Sequence, residues 1–112
     1  MTTNNHEVII AIVNSGFAEE AMEAAKANGA RGGTIINARG VAKEEAAAFF
    51  GIAFHADKEI LMIVVEKDIR NAVLNALYKE IGMDKKSRGI VFSLPVSDVA
   101  GLVPPTAEKP EK

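Results

Sequence analysis

The chain contains no cysteine, which excludes disulfides, thiolate catalysis and cysteine-ligated zinc. It also lacks a basic stripe. Its 13 Lys and Arg are scattered among 15 Asp and Glu, for a net charge of −2, so nucleic acid is not an expected partner. No apolar run approaches the ~20 residues of a membrane helix, the longest being residues 8–13 and 60–65. Residues 1–5 are polar and lack the basic-then-apolar order of a signal peptide. The expectation is a soluble, cytoplasmic protein without membrane insertion.

Chemistry-bearing constellations are equally scarce. His6 and His55 have no carboxylate or cysteine at ligand spacing, so neither a metal site nor a catalytic dyad is expected. Ser15, Ser87, Ser93 and Ser97 sit outside any nucleophile-elbow context. The Gly-Lys-Ser/Thr of a phosphate-binding Walker loop is missing. The chain is expected not to be an enzyme, to have no catalytic residue and to need no cofactor.

What remains is an orderly alternation of elements. With 112 residues and 48% hydrophobic content, the chain suffices for one globular domain. Residues 8–13 form a β-branched apolar run, read as a buried strand. Ser15 is the expected N-cap of a helix with Glu19 and Glu20 in its first turn, and Asn28-Gly29 its stop. Residues 34–38 and 60–65 are the second and third strands. Asp68 is the expected cap of a second helix striped by Val73, Leu74, Leu77 and Ile81. Gly82 ends it, with Met83 packing back in a Schellman arrangement, and residues 90–94 are the fourth strand.

Strand, helix, strand, strand, helix, strand is an α+β, ferredoxin-like βαββαβ sandwich with both helices on one face. Such a sheet should alternate, polar on its bare side. These strands are apolar on both sides, since Ile9, Ala11 and Val13 interleave with Val8, Ile10 and Ile12. A bare apolar sheet would exceed the ~300–600 Å² patch of an ordinary monomer. An oligomer is therefore expected. The domain spans residues 1–102 with a long loop at 40–57, and the Pro-rich residues 103–112 read as a flexible tail. Within the loop, residues 43–50 favour a short helix, and Phe49, Phe50 and Phe54 either form a mini-core or meet a partner.

Three glycine-bearing segments are candidate ligand contacts. Gly29-Ala30-Arg31-Gly32-Gly33-Thr34 links a helix end to a strand, where glycines let backbone amides approach a ligand. Read structurally, it is a helix cap and a tight turn. Arg39-Gly40 ends the second strand, and Lys86-Ser87-Arg88-Gly89 precedes the fourth. Each puts a guanidinium beside a glycine at a strand end, suited to phosphate oxygens or simply to solvent.

These segments, with Lys58-Glu59-Ile60-Leu61-Met62-Ile63-Val64-Val65 and Arg88-Gly89-Ile90-Val91-Phe92-Ser93-Leu94-Pro95-Val96, resemble the nitrogen-regulatory PII signal-transduction superfamily, specifically its short, divergent members. The resemblance runs from about Glu7 to Leu102. It implies a homotrimer that binds ADP or ATP in intersubunit clefts and regulates a target protein, such as a membrane transporter or metabolic enzyme, through its loop. The implied nucleotide contacts are Gly32, Gly33 and Thr34, then Gly40 opening the loop, Lys58 near the phosphates, Val64 near the adenine, and Ser87, Arg88 and Gly89 as a phosphate loop. Arg39 joins them as a candidate replacement for missing charge. Ile90 stands where the family has a lysine, and Gly101 and Val103 where it has two arginines. The rival expectations are a structural or metal-tolerance-type trimer and a small ferredoxin-fold enzyme.

Overall fold

The computed structural model describes residues 2–3, 5–41, 56–82 and 89–102. The expected loop helix at 43–50, the three loop phenylalanines, His55 and the tail at 103–112 lie outside them. The elements are β1 (Thr2–Thr3), β2 (His6–Asn14), α1 (Ala18–Lys26), β3 (Thr34–Arg39), β4 (Asp57–Glu66), α2 (Lys67–Ile81), β5 (Ile90–Pro95) and β6 (Val99–Ala100). Four strands form one antiparallel sheet in the order β3-β4-β2-β5, which is the ferredoxin-like arrangement. The fold is the α+β sandwich expected from the element order.

Strand alternation divides the sheet into two unlike faces. Ile9, Ala11 and Val13 of β2 and Leu61, Ile63 and Val65 of β4 point to the helices and are buried. Against them pack Ala18, Ala21, Met22 and Ala25 of α1 and Val73, Leu77 and Ile81 of α2. The small residues of α1 let that helix lie close to the sheet, while α2 supplies the bulk. Full burial of each large aliphatic side chain contributes about 1.5–3 kcal/mol, so this face holds the domain together.

The opposite face is apolar too. Register places Val8 beside Val64 and Leu94, Ile10 beside Met62 and Phe92, and Ile12 beside Ile60 and Ile90. Three rows of three apolar side chains thus cross the central strands. Met62, Val64, Ile90, Phe92 and Leu94 are between 37% and 50% exposed, and no helix among the described residues covers them.

The helix starts differ from expectation. Ser15 does not cap α1: Phe17 occupies the cap position without a side-chain bond, and the Ala18 N–H donates to Glu59 Oε1 at 3.0 Å. A carboxylate from β4 therefore stabilises the positive end of the helix dipole across 41 residues of sequence. Asp68 does not cap α2 either. β4 runs straight into that helix, so Glu66 is its cap residue and Asp68 falls inside the first turn. The Lys67 N–H instead donates to the Asn5 carbonyl.

The helix ends contrast in the same way. At the end of α1, Gly29 has φ 108 and the Ala30 N–H reaches back to the Ala25 carbonyl, a Schellman-type closure. Gly82, the C-cap of α2, has φ −57, and the expected packing of Met83 lies outside the described residues. Unanticipated by sequence patterning, β1 pairs antiparallel with β6, joining Thr2 to Ala100 and Thr3 to Val99. This two-residue ladder ties the start of the chain to the segment after β5.

Candidate functional site

The loop between α1 and β3 is one wall of a cavity of about 510 Å³. Its wall includes Gly32, Gly33 and Thr34, with Met62 and Val64 from β4 and Ile69 from α2. His6, Arg31, Glu66 and Leu102 complete the polar rim and the far side. The volume and the mainly apolar lining with a few polar groups suit a small organic ligand.

Register explains why the cavity exists. β3 begins opposite Met62, so the edge of β4 beyond it has no β3 partner. At that step the chain is held back by a close approach. A Cβ on Gly33 would stand 3.0 Å from Met22 Sδ and 3.1 Å from both Leu61 Cδ1 and the Met62 carbonyl oxygen. Gly33 thus has a packing reason for its identity. A Cβ on Gly32 would meet nothing within 4 Å, so packing alone leaves that position free.

The remaining expected site residues gather elsewhere. Arg39 pairs with Asp57 at the far end of β3, five residues or roughly 17 Å along the strand from Thr34. There the Gly40 N–H donates to the Ala56 carbonyl at 2.7 Å, closing the base of the long loop. Lys58 Nζ donates to Asn14 Oδ1 at 2.7 Å, and its aliphatic stem lies against Gly40, where a Cβ would come within 3.0 Å of Lys58 Cε. Partial burial holds the Lys58 ammonium below the usual lysine range, through loss of solvation. A nearby anion would favour the charged form and oppose that shift.

Gly89 lies at the same end of the sheet, packed against Val13 and Ile81. Its N–H donates to the Ile81 carbonyl at 2.6 Å, and a Cβ would stand 2.6 Å from that same oxygen. Close backbone approach accounts for this glycine without any ligand. Ser87 and Arg88 lie outside the described residues. The eight expected residues that the structure describes thus divide: Gly32, Gly33, Thr34 and Val64 share the cavity, while Arg39, Gly40, Lys58 and Gly89 sit at the other end of the sheet.

Sequence reasoning missed several cavity residues. Met62 lies two residues before Val64 on the same strand face, and the two-residue period was a sufficient signal for it. His6, Glu66, Ile69 and Leu102 come together only through tertiary register, which carries no local signal. No cluster of three metal-ligating side chains occurs among the described residues. Among them, too, no helix is long and apolar enough to cross a membrane.

The model of the family described as nitrogen regulatory protein P-II matches residues 6–104. The chain belongs to the P-II family. Its members are signal-transduction regulators rather than enzymes. Among solved structures, the chain is similar to Arabidopsis thaliana PII bound to citrate, at 26% identity and a TM-score of 0.65. That match covers 94% of this chain and 84% of the other. A putative PII-like signaling protein from Thermus thermophilus shares the fold at 21% identity and a TM-score of 0.63, covering 84% of this chain and 87% of its own. No curated protein matches the chain at a significant level. The P-II fold accounts for the four-stranded antiparallel sheet and its two helices.

Proposed function

We propose that this P-II protein is a homotrimer that binds ADP or ATP in clefts between subunits and regulates a target protein. The observation that carries the reading is the position of the cavity. Met62 and Val64 belong both to it and to the uncovered apolar sheet face. A neighbouring subunit packed on that face would close the cavity from its open side. The division of the candidate residues supports the same arrangement. One subunit offers an apolar slot with glycine backbone, suited to a base. The other end of a second subunit offers Lys58, Gly40 and Arg39, suited to phosphates.

In this reading Val64 and Met62 pack on the adenine, Thr34 and the backbone of Gly32 and Gly33 approach the nucleoside, and Lys58, Arg39 and Arg88 meet the phosphates. Gly40 and Ala56 form a fixed base for the residue 40–57 loop, the element that would dock on a transporter or metabolic enzyme. The reading places the protein in the cytoplasm, where adenine nucleotides are the signal. No resident cofactor is required.

Thermal unfolding tests this reading. ATP or ADP at ~100 times its Kd should raise stability by ~2.7 kcal/mol, seen as a dose-dependent rise in Tm. Unchanged melting with either nucleotide at saturating concentration would overturn it.

A further inference from the structure

The cavity has a cation that the proposed contacts leave unused. Of the described residues lining it, Arg31 is the only lysine or arginine and Glu66 the only carboxylate. Arg31 is exposed, and among the described residues its side chain makes no hydrogen bond or ion pair. Lys58 and Arg70, by contrast, are engaged within the subunit. Lys58 Nζ donates to Asn14 Oδ1, and Arg70 donates to Ser93 Oγ and faces Glu7.

The backbone that carries Arg31 is fixed on both sides. Before it, the Gly29 and Ala30 N–H groups donate to the Lys26 and Ala25 carbonyls, each at 3.1 Å, and Ala30 is buried in the core. After it, Gly33 packs against Met22 and Leu61, and Thr34 enters the ladder opposite Met62. Arg31 and Gly32 thus form a two-residue arch between anchors, with open space where a Gly32 Cβ would stand. A contact carried on fixed backbone loses less entropy on binding.

Resting on the nucleotide reading above, we propose that Arg31 contacts the phosphates of the bound nucleotide from the subunit that holds its base. The charge on the wall supports this. With histidine counted neutral, Glu66 without Arg31 would be the only formal charge there, and a polyanion would meet net repulsion. The guanidinium offsets that carboxylate and offers a planar fork of donors that matches phosphate oxygens. Met62, Val64 and Ile69 have no side-chain donor for an anion, so they suit the base and leave the phosphates to the rim. Cations of two subunits then grip one nucleotide: Arg31 of the first, Lys58 and Arg39 of the second.

The test is calorimetric titration of the full chain with ADP and with adenosine, comparing wild type, Arg31→Gln and Arg31→Lys. Arg31→Gln should weaken ADP at least roughly tenfold, the value of one charge-assisted contact, and leave adenosine within about twofold. Arg31→Lys keeps the charge without the fork and should recover part of the ADP affinity. Raising the ionic strength should weaken ADP less in Arg31→Gln than in wild type, since one screened attraction is gone. Tm without nucleotide should match the wild type in both variants, because Arg31 is exposed. Unchanged ADP affinity in Arg31→Gln, or equal losses for ADP and adenosine, would overturn the phosphate contact while leaving nucleotide binding intact. A wild type that binds neither ligand would overturn the nucleotide reading as well. Should adenosine bind too weakly to titrate, the salt dependence decides: identical slopes for ADP in wild type and Arg31→Gln would contradict the contact.

Discussion

Replacing Phe92 with aspartate is expected to turn the proposed trimer into monomers near the chain mass of 11.9 kDa. Phe92 stands at the edge of the middle row of the uncovered face, level with Ile10 and Met62. It is 39% exposed in the isolated subunit, so the substitution leaves the helix-side core untouched. An unpaired carboxylate forced into an apolar interface costs several kcal/mol, and a cyclic trimer would meet that cost at each of its interfaces. Light scattering coupled to size exclusion reads the mass, and circular dichroism confirms that the subunit still folds. A wild type that is already monomeric, or a folded Phe92→Asp protein that stays trimeric, would remove the apolar face as the assembly surface.

The second large effect concerns a glycine that looks like part of a phosphate loop. Gly89→Ala should destabilise the domain by about 1–3 kcal/mol, the usual range for forcing atoms into a packed site. Its new Cβ would press on the Ile81 carbonyl at 2.6 Å, on Ile81 Cδ1 at 2.8 Å and on Val13 Cγ1 at 2.9 Å. The hydrogen bond from the Gly89 N–H to Ile81 would be displaced with them. Gly32→Ala is the control. It has open space at the Cβ, and its stability should stay within ~0.5 kcal/mol of wild type. Urea unfolding measures both. Equal stabilities for the two variants would mean that Gly89 is not a packing glycine.

The comparison of these two glycines shows where sequence reasoning reached and where it stopped. The strands were legible because β-branched apolar runs admit few other readings. Their double-sided hydrophobicity already implied an uncovered face, which the register of Val8, Ile10 and Ile12 makes explicit. The caps were not legible. Ser15 and Asp68 are good capping residues by type, yet Glu59 reaches α1 from another strand and β4 leaves no gap for Asp68 to fill. A side chain 41 residues away leaves no trace in local pattern. The β1–β6 ladder was hidden for a different reason: two residues per strand are too few for any period to register.

The site was legible in part for the same reason. Gly32, Gly33, Thr34 and Val64 were singled out, and they do share a cavity. What chain order could not convey is that Arg39, Gly40 and Lys58 stand at the opposite end of the sheet. In the proposed reading, a ligand meets one group from each of two subunits.

The central claim, that two subunits build the nucleotide site, is tested most directly by titrating ATP into the wild-type assembly and into the Phe92→Asp monomer side by side in a calorimeter. The account predicts saturable binding of one nucleotide per subunit in the assembly. In the folded monomer it predicts affinity at least roughly tenfold weaker, because losing even one charge-assisted phosphate contact removes ~1.5–3 kcal/mol. Equal affinity in monomer and assembly, or no binding by the assembly, would contradict it.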